Sequence, residues 1–321
     1  MSFSVVIPAY NRAQYISETI ENILHQSLKP EQIIVVNDGS TDDTHAVVSE
    51  KYGNVVDLID IPNSGPPGAR DAGVRAARQE FIAFCDSDDL WLPDHLERLG
   101  RLLRHGDVSF AFSNFVYFKN EVRADKSQFD CDPARFYVSP GRSLGDGMFI
   151  SDVPLFPHVL EYQPILPSCT AIKKEYYLRV GGYDHSFGRV VSEDLEFTLR
   201  CVREGGIGID THPTAEIRRH SENHSGDWIR CLAGSIDILK YSILHHGLSR
   251  DWQEKAKHQI AVRSLEGIDH AFLSRRFEDI SLFSKEISIH EMKIKQFIKI
   301  VISRCPRNIA LFLQKVLTRG S

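Results

Sequence analysis

The first 118 residues alternate short apolar runs with stretches of helical periodicity, and few architectures accommodate that alternation. SVVIPAY (4–10), QIIVVND (32–38), VVDLIDI (55–61), EFIAFCD (80–86) and VSFAFSNFVYF (108–118) read as strands covered on both faces. Between them RAQYISETIENILHQ (12–26), DDTHAVVSEKY (42–52), GARDAGVRAA (68–77) and PDHLERLGRLLRH (93–105) read as helices. Asn11 is placed to cap the first helix, Thr41 lies near the start of the second, and Pro93 falls in the first turn of the fourth. Continuous apolar strands separated by helices predict an α/β fold with a mostly parallel, Rossmann-like sheet.

Residues 119–165 lose this rhythm and predict an insertion or long loop over the sheet. Order returns with SCTAIKKEYYLRVGGYD (168–184), the helical SEDLEFTLRCVREGG (192–206), and IGIDTHPTAEIRRH (207–220), which reads as one or two strands. After Ser225 the chain reads as helix only, which places a boundary there: an α/β domain over 1–225 and a helical region over 226–321. A chain of 321 residues is long enough for both. A net charge of −5 excludes an electrostatic footprint for nucleic acid. The six cysteines are scattered without a CxxC pair, which fits a reducing compartment better than a disulfide framework or a zinc site. No secretory signal and no transmembrane helix are expected, because the start lacks a basic n-region and no apolar run reaches about eighteen residues. The expected location is the cytoplasm, with the inner face of the cytoplasmic membrane as the alternative.

The fourth strand runs into Asp86, Ser87, Asp88 and Asp89, three carboxylates within four residues. Like charges this close repel and resist leaving water, so a positive group is expected beside them. In open α/β sheets ligands sit beyond the carboxyl ends of the strands, where Tyr10, Asn11, Asp38, Asp86 and Asp88 all fall. Asp-x-Asp presents two hard oxygen donors on one side, suited to Mg²⁺ or Mn²⁺ bound together with phosphates. The alternative is that Ser87–Asp89 cap the helix that follows. On these residues alone both readings stand.

Six segments in order carry a resemblance to one family: VVIPAYNRAQYISETIENILHQS, IIVVNDGSTDDT, NSGPPGARDAGVRAA, FIAFCDSDDLWLPDHLE, GGYDHSFGRVVSEDLEFTLR and HSENHS. Over roughly residues 3–225 the chain resembles the inverting glycosyltransferases of family 2, with the GT-A fold. The resemblance implies a nucleotide-sugar donor, a hydroxyl acceptor that is a carbohydrate or lipid-linked glycan, and Mn²⁺ or Mg²⁺. UDP is the first choice of nucleotide, with dTDP and GDP behind it. The donor-binding half would be about 1–118 and the acceptor half about 166–225, and the product would belong to surface polysaccharide, lipopolysaccharide or other glycan synthesis.

The same resemblance implies roles. Pro8, Ala9, Tyr10 and Asn11 would line the base, with Tyr10 packing against it; the alternative for Tyr10 is half-buried core. Asp38 would accept from a base N–H, or serve only the turn at Gly39. Arg70 would reach base or diphosphate. Asp71 stands where the family usually has Asn, which removes a donor; a pairing with Arg70 or a surface salt bridge with Arg75 is expected instead. Asp86 and Ser87 would lie at the ribose, Asp88 would hold the metal, and Asp89 would cap the next helix or support its neighbours. His220 would be a metal ligand or diphosphate contact, with His224 as its substitute. Asp194 would be the general base, and Glu193 its partner or an acceptor ligand; a helix-capping cluster after Ser192 is the alternative. Trp91, Tyr162 and Trp228 are candidates for sugar stacking or for core packing.

The last segment, KIKQFIKIVISRCPRNIALFLQKVLTRGS, has seven Lys and Arg and no acid. Its apolar residues Ile294, Phe297, Ile298, Val301, Ile309, Phe312, Leu313 and Val316 recur at helical spacing. It predicts either peripheral contact with an anionic membrane or a helix packed on the catalytic domain with its lysines outward. Two rival functions remain: a catalytically silent nucleotide-sugar-binding scaffold, which the retained Asp86, Asp88, Asp194 and His220 argue against, and a sugar-phosphate nucleotidyltransferase, whose Gly-rich loop is missing after the first strand.

Overall fold

The computed structural model describes residues 1–120, 122–139, 141–188, 190–220, 226–288, 290 and 292–318. They divide into two compact units, Met1–Arg189 with Glu196–Ser221, and Val190–Leu195 with Glu222–Ser321.

The first unit is built on one sheet. Its strands are β1 (Phe3–Ala9), β2 (Gln32–Asn37), β3 (Asp57–Asp60), β4 (Phe81–Phe84), β5 (Leu90–Trp91), β6 (Phe110–Lys119), β7 (Val122–Arg123), β8 (Arg142–Gly145), β9 (Met148–Ser151), β10 (Thr170–Lys173) and β11 (Ile207–Arg218). The order across the sheet is β3-β2-β1-β4-β10-β6-β11-β9-β8, with β5 beside β11 and β7 beside β6. The helices are α1 (Ile16–Leu24), α2 (Thr44–Tyr52), α3 (Gly65–Ala76), α4 (His95–Leu103), α5 (Phe156–Glu161) and α6 (Lys174–Arg179), followed by α7 (Glu193–Cys201), whose first residues belong to the second unit.

The expected parallel register holds from β3 through β2 and β1 to β4, and again between β6 and β11. β10 runs antiparallel to both of its neighbours, and residues 119–165 are not a bare loop: they add the hairpin β8–β9, antiparallel to β11. The sheet is therefore mixed. These strands are four residues long and interleaved with Gly, Asp and Ser, so they carry no readable period.

The core follows from the pattern. β2 is buried at every position, α1 buries Ile16, Thr19, Ile20 and Ile23, and α4 buries Leu96, Leu99, Leu102 and Leu103. Each fully buried Ile or Leu stabilises by about 1.5–3 kcal/mol. α3 lies close on β1 because residue 73 is Gly: a Cβ there would stand 2.3 Å from a Val6 methyl. The expected cap at Asn11 and the expected first-turn place of Pro93 are not formed. α1 begins after Tyr15, not after Asn11, and α4 begins at His95, two residues beyond Pro93.

The second unit is helical: α8 (Trp228–His245), α9 (Arg250–Leu273), α10 (Ile280–Ser284), α11 (Ile294–Ser303) and α12 (Arg307–Thr318). Asp227 caps α8 by accepting from the Arg230 amide, and Ser249 caps α9 by accepting from the Trp252 amide. Asp227 also pairs with Arg276 through both carboxylate oxygens, at 2.8 and 2.7 Å. The stretch 190–195 belongs here because it crosses α8 at Gly234, where a Cβ would meet the Val191 carbonyl at 2.1 Å. No described helix is long and apolar enough to cross a membrane.

Candidate functional site

The parallel strands β2, β1, β4 and β11 all end on the same edge of the sheet, because β10 and β6 between the last two reverse direction twice. Asp38 follows β2, Tyr10 and Asn11 follow β1, Asp86–Asp89 follow β4, and His220 follows β11. The sequence-predicted residues of the first unit are thus gathered on one edge. Pro8 and Ala9 are the last residues of β1, with Ala9 buried, and Tyr10 beyond them is 43% exposed.

The carboxylates are met by arginines and a histidine. Asp88 Oδ2 lies 2.8 Å from His220 Nε2 and 3.3 Å from Arg12 Nε, with all three side chains largely covered. The His220 ring stacks on Tyr15, with centroids 5.0 Å apart. Asp86 Oδ1 accepts from Arg70 Nη2 at 2.8 Å; Arg70 is buried and lies over the Tyr183 ring. Arg218 donates its Nε–H to the Asp88 carbonyl at 2.8 Å and its Nη2–H to Glu18 at 2.6 Å. Its guanidinium lies over the Tyr15 and Phe118 rings, 5.1 and 4.5 Å from their centroids.

Asp89 does not cap a helix. Ser87–Asp89 precede β5, and the helix after it starts at His95. Asp89 is buried, accepting from Ser168 Oγ at 2.6 Å and from the Arg218 amide at 2.9 Å. Ser168 Oγ in turn accepts from the Asp86 amide, and its carbonyl accepts from Trp91 Nε1. Burial pushes the Asp89 carboxyl well above the usual aspartate range, and the charges of Asp88 and Asp86 push it further. Asp89 therefore ties the ends of β4 and β11 to the start of β10. Ser87 is buried among them.

Asp38 holds the opening of α3. Its carboxylate accepts from the Ser64 amide at 2.7 Å, from Ser64 Oγ at 3.1 Å and from the Gly65 amide at 2.9 Å. Burial raises its pKa, and these donors offset part of that rise. Three acceptor positions of about four are used, which leaves one for a ligand. Gly65 has φ +78, and a Cβ there would stand 2.2 Å from the Gly188 carbonyl, so glycine is required. Asn11, at φ +52, accepts from the Thr41 amide at 2.8 Å and links the β1 and β2 loops.

Asp71 pairs with Arg75 at 2.7 Å and not with Arg70. It is buried, not a surface partner, and also accepts from the Tyr177 hydroxyl at 3.1 Å and faces His185 Nε2 at 3.2 Å. Its acceptor-only chemistry suits a site that clasps the segment after β10 against α3.

Glu193 and Asp194 are the first residues of α7, in the stretch that belongs to the second unit. Ser192 before them has φ +70, which is not the extended backbone of a capping serine. Glu196, in the first unit, is buried against Arg200 with contacts of 2.7 and 2.5 Å. Arg200 continues to the Val180 and Gly182 carbonyls and so fixes the Gly-Gly loop. His224, with the rest of 221–225, lies outside the described residues. Trp91 is buried and stacked on His95, so it has no face for a sugar; the Tyr162 hydroxyl donates to the Gln128 carbonyl; Trp228 is half exposed in the second unit.

Sequence reasoning missed Arg12, Tyr15, Ser168 and Arg218. Arg12 follows PAYN directly and was readable as a cation beside an acidic edge. The others act from segments whose contact with that edge depends on tertiary packing. Asp88 Oδ2 and His220 Nε2 fit a divalent ion as two adjacent donors, leaving the other positions to phosphate and water. Among the described residues no group of three or more His, Cys, Asp or Glu is placed to hold a metal, so these donors do not cage an ion by themselves.

Residues 4–151 match the family model described as Glycosyl transferase family 2. An uncharacterised glycosyltransferase of Nostoc is 38% identical over 111 residues, 34% of each chain. The Escherichia coli protein named UDP-Glc:alpha-D-GlcNAc-diphosphoundecaprenol beta-1,3-glucosyltransferase is 26% identical over 243 residues, 75% of this chain and 82% of its own. The chain thus spans about a third of the first relative and most of the second. Among solved structures, S. aureus TarS 1-349 in complex with UDP-GlcNAc superposes with a TM-score of 0.63 at 18% identity, over 100% of this chain and 93% of the other. That likeness shows the fold, GT-A with C-terminal helices, as expected from the sequence.

Proposed function

From the membership of residues 4–151 in glycosyl transferase family 2, we propose that this glycosyltransferase moves a sugar from a nucleoside diphosphate donor to a hydroxyl acceptor, with inversion and with a divalent ion. UDP is the nucleotide of this reading. The observation that carries it is the pair Asp88–His220, 2.8 Å apart on the edge where Tyr10, Asp38 and Asp86 also end. The names of two similar proteins support it: one E. coli relative is named for UDP-Glc and a diphosphoundecaprenol-linked acceptor, and the TarS structure holds UDP-GlcNAc.

In this reading Pro8, Ala9 and Asn11 shape the base pocket, exposed Tyr10 packs on the base, and Asp38 keeps one acceptor position for a base N–H. Arg70, Asp86 and Ser87 take the ribose and diphosphate side. Asp88 and His220 would hold Mn²⁺ or Mg²⁺, which supplies positive charge against the leaving diphosphate. Asp194 accepts the proton of the acceptor hydroxyl as its oxygen bonds to the anomeric carbon and the bond to the diphosphate breaks. Glu193 orients the acceptor. These last two roles rest on the SEDLEF motif alone. The acceptor is a carbohydrate or lipid-linked glycan, met on the cytoplasmic side of the membrane, and the product a surface polysaccharide.

The test is calorimetric titration of UDP with and without Mn²⁺, on wild type and Asp88→Ala. UDP binding should tighten with Mn²⁺, and the variant should lose that gain. Failure of UDP, dTDP and GDP alike to bind would overturn the reading. Donor binding without transfer to any glycan acceptor would mark a silent binder instead.

A further inference from the structure

The last two helices of the second unit turn outward the faces that a helix in water ordinarily buries. In α11, Ile294, Phe297, Ile298 and Val301 stand at i, i+3, i+4 and i+7, and all are exposed, Ile294 to 76%. The same helix buries Gln296, whose Nε2 donates to both oxygens of Asp269 on α9, and brings Lys299 Nζ to 2.6 Å from that carboxylate. α12 repeats the arrangement. Ile309, Phe312 and Val316 are exposed, Phe312 to 66%, while Gln314 is buried and donates to the Phe272 and Leu273 carbonyls. In both helices an amide side chain is buried, beside Ile300 and Ile302 in α11 and Ala310 in α12, and a second apolar stripe faces away.

Charge says what covers the stripes. From Met292 to the end the sequence holds no Asp or Glu, and Lys293, Lys295, Arg304, Arg307 and Lys315 are all exposed. A second copy of the chain would bring two such cationic sets together, and like charges across an interface oppose it. An anionic bilayer meets both properties. Its phosphates take the cations, and its acyl boundary takes Phe, Ile and Val. Helices of 10 and 12 residues are too short to span it, so they would lie in the surface plane. Apolar insertion plus a polybasic patch are the two signals that stable peripheral attachment needs. We infer that α11 and α12 form a docking surface for anionic lipid bilayers. This surface stands independently of the donor assignment.

The test is flotation of the full chain with vesicles of phosphatidylglycerol and phosphatidylcholine, against phosphatidylcholine alone, at low and high salt. The chain should float with the anionic vesicles only and be released as salt rises. Phe312→Ser and Phe297→Ser should each weaken partition by about tenfold, and Lys295→Gln or Lys315→Gln by about fivefold. Unchanged melting by circular dichroism and unchanged UDP titration would show that these exposed substitutions leave the rest intact. The wild-type salt series needs no variant. Equal binding to both vesicle types, or none to either, would overturn the inference. So would a dimer in sedimentation that Phe312→Ser disperses, which would give the face to a second copy.

Discussion

His220 Nε2 lies 2.8 Å from Asp88 Oδ2, across the two strands β10 and β6 that separate β4 from β11. The residue after one strand thus meets the residue after another without either leaving its loop. Arg218, two residues earlier, fastens the same junction through the Asp88 carbonyl and the Asp89 carboxylate. A charged cluster held this way is pre-organised, and each of its members makes a separable prediction.

Arg12 is the first. Its Nε stands 3.3 Å from the Asp88 oxygen that also faces His220. Arg12→Gln removes a positive charge there, so the oxygen attracts a metal cation more strongly while the edge attracts a diphosphate less strongly. Mn²⁺ titrated alone should bind about tenfold tighter and UDP alone about tenfold weaker, each ~1.4 kcal/mol. Calorimetry of the two ligands separately checks this. Movement of both in the same direction would mean that Arg12 acts by holding the loop.

Asp194 carries the proposed proton transfer. Asp194→Asn keeps the shape and removes the base, so turnover should fall by about 10²–10⁴. UDP affinity, measured by calorimetry, should stay within about twofold, because the donor contacts assigned here lie on other residues. Loss of donor binding together with turnover would assign Asp194 to the fold and leave the base to be sought elsewhere.

Asp71 separates structure from function. Asp71→Ala leaves the buried Tyr177 O–H without its acceptor, though the oxygen still accepts from the Tyr183 amide, and should lower stability by about 1–3 kcal/mol. Asp71→Asn keeps an acceptor for that hydroxyl and forfeits mainly the pair with Arg75, whose side chain is 71% exposed and adds little. Urea midpoints should rank wild type and Asn close together and Ala well below. An Asn variant as unstable as Ala would show that the charge itself is needed.

What the sequence disclosed and withheld divides along physical lines. β1, β2, β4 and α1 were legible because their apolar residues are contiguous or at helical spacing and bury as the pattern requires. The β8–β9 hairpin was not, since each strand is only four residues long, and β8 is mostly exposed whereas β9 is mostly buried, so the pair shares no pattern. Asp86, Asp88 and His220 could be named from their motifs, and the positive charge expected beside the acids was found. The cations are arginines: Arg12 follows PAYN and was readable there, whereas Arg218 reaches the acids through packing that no spacing announces. Of the two readings of Asp89 the helix cap fails and the support of its neighbours holds, through Ser168 and Arg218, which are distant in sequence.

Asp89 supplies the pH prediction. Its folded carboxyl sits well above the ordinary aspartate value of 3.8, chiefly through burial. Between that value and the raised one the folded state binds a proton that the unfolded state has released, so stability falls as pH rises through the window. Below it the contribution is complete. Asp89→Asn is neutral throughout; its carbonyl still accepts from the Arg218 amide, and its amide faces Ser168 Oγ. The stability of wild type relative to Asp89→Asn should therefore decline as pH is raised from about 4 and then level off. Urea midpoints of both proteins across that range give the difference directly. Parallel profiles would mean that the Ser168 and Arg218 donors stabilise the charge enough to cancel the effect of burial, and that Asp89 is ionised in the folded protein at the same pH as in the unfolded chain.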